Sequence, residues 1–513
     1  MKLIYIKSIF LIMLMSYSIS CTKVDEKVYS SISADNFFHN EQEVMLNVGR
    51  VYVQLRAIMN RWGAGSMSLV TSGECIIPFR ETNLWWDNGT WIDLYKHNFT
   101  DANPAIGGAW DFCFGGISTC NQVISQLEES PTDFSKKDNI ISEIKIIRAF
   151  YYFNALDWFG NIPIITNFKD TDIPEQRTRK EVFDFLEKEI KDNITNLYPF
   201  QTPQNYGMAT QAMAYTMLAK LYLNANAWIN EPKWDEAAQT ADLVINLRHF
   251  NLATNYFSNF FAQNESSLEN IFVIPFDRVN TPGWDEGLIL HCWSLHSLSA
   301  QTFDFIAFTW DGYAATEALY KSYDKNDSRI NSWLEGPQVT STGQPLMLAP
   351  GRQLTYRPNV KALYSPSNPA LLDDGVRFKK YEYEKGLRDG ESMSNDWVVY
   401  RYADILMIKA EALMRKNNVA TSEVVNLVNQ VRYRAFGNHD YDYTTSNLTF
   451  DEFFEELGRE FSWENHRRLD VIRFDKWNLP WFEKPAGDDH LKLFPIPNFV
   501  LDVNPKFVQN PGY

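Results

Sequence analysis

The chain has 513 residues, 45% of them hydrophobic and 22% charged, a composition typical of a globular protein with a large core. Its net charge of −16 argues against binding nucleic acid and against polybasic docking on anionic lipid, because both require basic surfaces. Aromatic residues make up 15% of the chain and include 16 Trp, so rings are available for a ligand as well as for the core.

The N-terminus carries a predicted export signal. Two lysines precede the apolar stretch Ile9–Met15, which is far shorter than the roughly 20 residues that span a bilayer. The following Ser-Ile-Ser-Cys sequence, ending at Cys21, resembles a bacterial lipobox. An ordinary secretory signal with an incidental cysteine is the alternative. We expect residues 1–20 to be a lipoprotein signal peptide and Cys21 to carry the lipid anchor.

Amphipathic helices are predicted over residues 22–61 and 109–249. Apolar side chains recur there every three or four residues, which places them on one face of a helix. Thr178 and Glu181 have the spacing of a capping box and predict a helix start. These segments form the first two parts of a predicted helical scaffold.

Residues 62–108 have a different character, because Gly and Trp become frequent and no helical period lasts. A loop can present rings and hydrogen-bonding groups together. For any single Trp, packing beneath the loop is an equally good interpretation. The adjacent Trp85 and Trp86 cannot easily both be buried in an extended loop, so we expect at least one to be exposed. The candidate ligand-binding residues here are Glu74, Arg80, Trp85, Trp86, Asp87 and Trp91.

Residues 250–396 interrupt the helices with a long irregular segment. Eight of the chain's 22 prolines lie between Pro275 and Pro369. Long irregular excursions in a compact chain are usually functional or disordered, and the many Trp here argue against disorder. Trp284 and Trp310 are the predicted partners of Trp85 and Trp86. Arg352 is a further candidate ligand-binding residue, although a surface ion pair is the favoured alternative for it.

The scaffold is predicted to resume over residues 397–513. The helix Tyr400–Arg415 carries several alanines that let a neighbouring helix approach closely, and Thr421 is a plausible N-cap for that neighbour. Charged residues crowd the later stretch LGREFSWENHRRLDVIRF, beginning at Leu457. Their spacing of three and four residues predicts structural ion pairs rather than catalysis.

Five stretches carry a family resemblance, and Ile147–Ile164 and Ala214–Asn224 are two of them. YRYADILMIKAEALMR, LGREFSWENHRRLDVIRF and the C-terminal LFPIPNFVLDVNPKFVQNPGY resemble motifs of the SusD/RagB family, which are lipid-anchored glycan-binding proteins on the outer surface of Bacteroidetes. The resemblance implies a mostly α fold, a tetratricopeptide-like scaffold of helical hairpins with a large loop-rich insertion. It also implies that residues 21–513 are one body and that both loop-rich parts lie on the same side as a glycan platform.

The resemblance further implies a role in nutrient capture. The chain would bind a glycan at the cell surface, anchored in the outer membrane through Cys21, and deliver it to a SusC-like TonB-dependent transporter. The acidic pair Asp25-Glu26 resembles the surface-export tag of such lipoproteins. No catalytic residue, metal or cofactor is predicted, because HExxH, GxSxG, CxxC and phosphate-loop motifs are absent. A peptide-binding relative of RagB, or a surface glycoside hydrolase, remains the alternative.

Overall fold

A computed structural model of the chain describes residues 41–513, apart from 61, 83, 84, 131–135, 282 and 285. The predicted signal peptide and Cys21 lie outside these residues. The fold is mostly helical with short strands, which confirms the predicted class. The helices are α1 (Glu41–Leu55), α2 (Ala64–Thr71), α3 (Thr90–Tyr95), α4 (Pro104–Glu129), α5 (Lys137–Phe159), α6 (Arg179–Asn193), α7 (Gln211–Ile229), α8 (Trp234–Ile245), α9 (Leu290–Ser294), α10 (Glu317–Lys321), α11 (Tyr402–Asn417), α12 (Ser422–Phe436), α13 (Phe450–Glu460), α14 (Arg467–Arg473) and α15 (Asn498–Val503).

The strands are short and pair two by two. They are β1 (Cys75–Ile76), β2 (Ile162–Pro163), β3 (Gln176–Arg177), β4 (Asn270–Ile274), β5 (Ala314–Ala315), β6 (Trp333–Leu334), β7 (Gly336–Pro337), β8 (Met347–Ala349), β9 (Arg352–Gln353), β10 (Thr355–Tyr356), β11 (Arg377–Phe378) and β12 (Trp397–Arg401). The antiparallel pairs are β1–β5, β2–β3, β4–β12, β6–β11, β7–β10 and β8–β9.

Local sequence explains where the scaffold helices begin. Thr178 and Glu181 form the predicted capping box at the start of α6, with the Thr178 N–H donating to Glu181 at 2.8 Å. The Thr421 side chain accepts from the Val424 N–H and caps α12 as predicted. The helix α4 begins earlier than expected, at Pro104, because proline suits the first helical position and Asn103 caps it.

The scaffold helices pack as a continuous array. Going along it, α1 packs on α4, α4 on α5, α5 on α6, α6 on α7, α7 on α8, α8 on α11, and α11 on α12. A small residue allows α4 and α5 to approach closely, since a Cβ added to Gly116 of α4 would lie 2.3 Å from the Tyr151 ring of α5. These helices therefore pack as one layered array, and the irregular parts lie against it.

The loop-rich residues 62–108 contain two helices that the sequence did not predict. Every residue of α2 is buried, so the segment has no solvent-facing side and shows no amphipathic period. The helix α3 is only six residues long and lies in the same segment.

The two loop-rich parts are in direct contact. Strand β1 of the first pairs with β5 of the second, placing Cys75 opposite Ala315, and a bridge joins Arg80 to Ala370. Strand β12 pairs with β4 and leads directly into α11, so it connects the irregular part to the scaffold. This arrangement brings together residues that are more than 200 positions apart in the sequence.

A buried ion network lies where the irregular part meets α11, α12 and α13. Arg401 donates to Glu269, Glu460 and Glu464, and Arg329 donates to Asp327, Glu456 and Glu460. Both arginines are fully buried. The charged residues of this region therefore hold the structure together, as their spacing indicated.

Within the described part of the chain, no helix is long and apolar enough to cross a membrane. The four cysteines there, Cys75, Cys113, Cys120 and Cys292, are buried free thiols.

Candidate functional site

Three tryptophans from the two loop-rich parts form a continuous row that we call the aromatic row. Trp284 stacks on Trp310 with ring centroids 5.5 Å apart, and Trp310 meets the Trp85 ring edge to face at 5.0 Å. Trp284 is 38% exposed, Trp310 is half-buried and Trp85 is buried. The row therefore runs from the surface into the core, and the structure brings together three of the four predicted partners.

The inner end of the row is fixed by close packing. Trp85 stacks on Tyr313 at 5.2 Å, and a Cβ added to the neighbouring Gly312 would lie 2.1 Å from the Trp85 ring. The Asp87 carboxylate accepts hydrogen bonds from the ring N–H groups of Trp85 and Trp91. Asp87, predicted as a ligand-binding residue, thus positions the rings that support the row.

Trp86 faces away from Trp85 and belongs to a second aromatic pair. It stacks on Tyr364 at 5.2 Å, and Phe79 packs edge to face against both rings. Trp86 is half-buried and Tyr364 is 50% exposed. The expectation that at least one of the two neighbouring tryptophans is exposed is therefore met only in part, by the half-buried Trp86. Sequence reasoning missed Tyr364, whose only signal is its position in the proline-rich stretch.

The structure places Trp91, Glu74 and Arg80 in the interior, which differs from the expectation that they face a ligand. Trp91 is fully buried and stacks on Trp62 at 5.3 Å. Arg80 donates to the carbonyl oxygens of residues 311, 371 and 374, so it joins the two loop-rich parts. Burial raises the pKa of Glu74 to about 8. Trp91 also meets Tyr313 of the second loop-rich part edge to face, whereas the Glu74 carboxyl accepts from the Trp463 N–H of the C-terminal scaffold.

Arg352 lies on β9 and is partly exposed. It pairs with Glu81 at 3.2 Å and with the buried Asp373 at 3.1 Å. The ion pair that we favoured for Arg352 from the sequence is therefore present in the structure. Such a pair contributes little to stability at the surface.

An apolar rim surrounds the exposed end of the aromatic row. Val279, Ile306 and Phe308 are all more than half exposed there. Backbone hydrogen bonds hold their loops together, since the Gly283 N–H donates to the Gly390 oxygen at 2.7 Å and the Ile306 N–H to the Leu387 oxygen at 2.9 Å. Three loops thus converge around Trp284, a convergence that no local sequence pattern indicates.

No group of three or more His, Cys, Asp or Glu side chains is arranged to hold a metal ion among the residues that the structure describes.

The state of Glu74 yields a prediction about pH. Its carboxyl is buried beside Trp463, and its pKa of about 8 lies above the usual 4.5 mainly because burial disfavours the charged form. Arg467 and Lys380 lower this pKa and Asp470 raises it. A raised folded-state pKa means that stability is fully present below pH 4.5 and is lost as the pH rises towards 8.

We therefore expect Glu74→Gln to remove this loss. The free energy of unfolding of the natural chain should fall relative to the variant by about 1.4 kcal/mol for each pH unit inside the window. Denaturant melts of both chains from pH 5 to pH 9 measure the difference. The comparison is needed because burial also lowers the pKa of Lys380 to about 8, and that titration is common to both chains. Parallel pH profiles would contradict the prediction.

The comparisons with known proteins agree with one another. A family profile described as "SusD family" matches residues 246–513. A second profile, described as "Starch-binding associating with outer membrane", matches residues 25–223. Starch-binding protein SusD of Bacteroides thetaiotaomicron is 25% identical over 72% of each chain. SusD-like protein P2 of Formosa agariphila is 22% identical over 99% of each chain.

Solved structures share the fold. Surface glycan-binding protein A of Bacteroides thetaiotaomicron, in complex with laminarihexaose, superposes with a TM-score of 0.76 at 21% identity, over 92% of this chain and 99% of that one. A laminarin-binding SusD-like protein superposes with a TM-score of 0.74 at 20% identity, over 92% and 100% of the two chains.

Proposed function

The chain belongs to the SusD family, and we propose that it is a cell-surface glycan-binding lipoprotein that captures oligo- or polysaccharide for uptake. The observation that carries the proposal is the aromatic row. Apolar sugar faces stack on aromatic rings by removing water from both surfaces. Trp284 offers such a ring at the protein surface. The relatives named for binding starch and laminarin support the same class of ligand.

The row is suited to binding rather than to chemistry. Its exposed end consists of ring faces and an apolar rim, and the predicted acidic residue Glu74 lies buried away from it. The relatives are named as binding proteins. We therefore propose that the chain holds its glycan without cleaving it, and that no cofactor takes part.

Replacing Trp284 or Trp310 with alanine should weaken glycan binding. Stacking on an exposed ring is lost in the first variant, and the second removes the ring that supports it. A loss of about 1–3 kcal/mol, the value for nucleic-acid bases stacked on aromatic side chains, corresponds to roughly 5- to 150-fold weaker binding. Calorimetric titration with the glycan that a polysaccharide screen identifies measures the change.

The matched control is Phe168→Ala, which removes an equally exposed ring from the loop after β2. It should bind like the natural chain. Reducing ends are measured in parallel, and the bound glycan should be recovered intact. If both row variants bind as tightly as the control, the platform lies elsewhere. Steady release of reducing sugar would favour the hydrolase alternative.

The anchor and the transporter complete the proposal. Family membership and the outer-membrane description of the second profile support attachment to that membrane. We propose that Cys21 carries the lipid and that a SusC-like TonB-dependent transporter receives the glycan.

Cys21→Ser should leave the chain exported but unlipidated, because the serine hydroxyl cannot take the thioether-linked lipid. Fractionation of cells should then move the protein from the outer-membrane fraction to the soluble fractions. Substitution of the nearby Ser20 by alanine, another small residue, is the control and should leave the protein attached. Firm retention of the Cys21→Ser chain in the membrane would contradict the assignment of the anchor.

A peptide ligand remains the second candidate, and the apolar rim is the observation that favours it. Val279 and Ile306 are branched aliphatic side chains that suit apolar peptide side chains better than sugar rings. Binding of an unstructured peptide library, abolished by Trp284→Ala while all glycans fail to bind, would select this alternative.

A further inference from the structure

A cavity of about 520 Å³ lies between three loops, and we call it the Tyr206 cavity. Its walls come from the loop that joins α6 to α7, from residues 249 and 250 after α8, and from residues 265–270 at the start of β4. This volume is typical of small-molecule sites. Among the lining residues that the structure describes, none belongs to the aromatic row or to its apolar rim. A ligand here would therefore contact residues that the proposed function does not use.

Two half-buried rings, those of Tyr206 and His249, line the cavity. Phe200 stacks on the His249 ring with centroids 3.7 Å apart, and Phe250 meets that ring edge to face at 5.0 Å. The Tyr206 hydroxyl donates to the Asp396 carboxylate. Because neighbouring side chains hold both rings, the aromatic walls are preformed and remain partly accessible.

The accessible charge of the cavity is negative. Glu265 is exposed and lines the cavity, whereas no lysine or arginine is among the described lining residues. Glu265 also lies near the buried Asp396, because the Asn264 side chain exchanges two hydrogen bonds with the Asp396 backbone, at 3.0 and 2.9 Å. Burial raises the pKa of Asp396 to about 6, and repulsion from Glu265 adds to the increase. A cation in the cavity would relieve this repulsion.

The other titratable groups nearby do not oppose a cation. Arg56 lowers the pKa of Asp396, but its side chain donates to the Pro275 oxygen at 2.9 Å and is not among the described lining residues. Burial lowers the pKa of His249, so its ring is uncharged at pH 7. The net charge of −16 on the whole chain also attracts cations. The electrostatics of the cavity therefore favour a cation over an anion.

We propose that the Tyr206 cavity binds a small organic cation, with Glu265 as the counter-ion and the rings of Tyr206 and His249 as walls. An ammonium group is attracted both to a carboxylate and to the face of an aromatic ring. Leu268, which is 56% exposed, and Pro203 offer apolar surface to the body that carries the ammonium group. The inference goes beyond the proposed function, which concerns the aromatic row alone. Quaternary ammonium compounds and amino sugars both present this group, and the test distinguishes them.

The test compares each cation with a neutral molecule of similar shape at pH 7. Choline is paired with its neutral carbon analogue, in which a carbon atom replaces the nitrogen, and glucosamine is paired with glucose. All titrations use the full-length chain carrying Trp284→Ala, because a quaternary ammonium group also stacks on an exposed Trp ring. Saturation-transfer NMR and calorimetry measure binding. At least one cation should bind about threefold or more tightly than its neutral counterpart, and the cation that does so identifies the class of ligand.

Three further substitutions at exposed residues assign the binding to the cavity. Glu265→Gln keeps the shape but removes the charge, so it should weaken cation binding by about threefold or more and leave the neutral counterpart unchanged. Leu268→Arg places a positive charge at the cavity and should weaken cation binding by about fivefold or more. Leu243→Arg is the matched control, because Leu243 is 47% exposed on α8 and is not among the described lining residues. It should bind like its parent, and thermal melts check that each variant is folded.

The results that would overturn the cation site are distinct from those that concern the row. If neither cation binds more tightly than its neutral counterpart, or if Leu268→Arg and Leu243→Arg bind the cation equally well, the site is overturned. Unchanged cation binding by Glu265→Gln would overturn the role of its carboxylate as counter-ion. These titrations do not use glycan binding to the row, so they stand even if the row variants keep full glycan affinity.

Discussion

Replacing Arg401 with methionine should lower the free energy of unfolding by about 3–5 kcal/mol, the cost of breaking a buried ion pair on one side. Arg401 donates to Glu269 and Glu464 at 2.7 Å and to Glu460 at 2.6 Å, and all four side chains are buried. Methionine fills much of the volume but leaves three carboxylates with fewer partners. Urea melts followed by circular dichroism at pH 7 measure the loss.

The pH dependence of this loss identifies its electrostatic origin. Nearby arginines lower the pKa of Glu460 and Glu464 to about 2 against the cost of burial. A lowered pKa contributes stability that is present above the usual 4.5 and is lost as the pH falls towards 2. Without Arg401 less of this stability is present at neutral pH, so the difference between variant and natural chain should shrink as the pH falls from about 4.5 towards 2.

Arg352→Met is the matched control, because Arg352 also pairs with two carboxylates but is partly exposed. Its loss should stay within about 1 kcal/mol, as for other surface pairs. Equal losses for Arg401 and Arg352, or a loss at Arg401 that does not change with pH, would show that the buried network is not what stabilises this junction.

Replacing Trp91 with alanine should cost about 3–5 kcal/mol of stability, as large-to-small changes at fully buried aromatic residues do. Trp91 packs between Trp62, at 5.3 Å, and Trp85, at 6.1 Å, and its ring N–H donates to Asp87 at 2.7 Å. The substitution leaves a cavity and an under-used carboxylate beneath the aromatic row. Thermal and urea melts measure the loss.

Trp284→Ala is the counterpart, since its ring is the exposed end of the same row. It should lower glycan affinity and change the free energy of unfolding by less than about 1 kcal/mol, as substitutions outside the core usually do. Comparing the two variants distinguishes a ring that supports the aromatic row from a ring that contacts the glycan. If Trp284→Ala destabilises as much as Trp91→Ala, the outer ring is part of the core and cannot be the glycan platform.

The two aromatic surfaces suggest how a long ligand would be held. Trp284 and the Trp86–Tyr364 pair both offer exposed or half-exposed rings on the joined loop-rich parts. The buried Trp91 and the half-buried Asp87 fix the inner ring Trp85 through stacking and hydrogen bonds, and the buried Arg80 joins the two loop-rich parts through backbone carbonyls. We propose that glycan affinity depends in part on these supporting residues, which a ligand lying on the exposed rings would not touch.

The sequence by itself determined the helical scaffold and the family. Helix starts such as Thr178 and Thr421 depend on hydrogen bonds with the residue three positions later. The period of apolar residues in α6 or α12 reflects a helix with one face in solvent. These relations are local, so a short stretch of sequence contains them. Helix α2 was not predicted, because it is buried on all sides and therefore has no amphipathic period to detect.

Only the tertiary structure decided which candidate residues reach the surface. Trp85 and Trp86 are neighbours of the same type, yet Trp85 packs on Tyr313 in the core and Trp86 on the exposed Tyr364. Their partners lie more than 200 residues away. The β1–β5 pairing brings Tyr313 there, and the hydrogen bond from the Phe79 N–H to the Leu363 oxygen brings Tyr364. Exposure is the result of those distant contacts, so the composition of a loop predicts that rings are present but not which of them reach the surface.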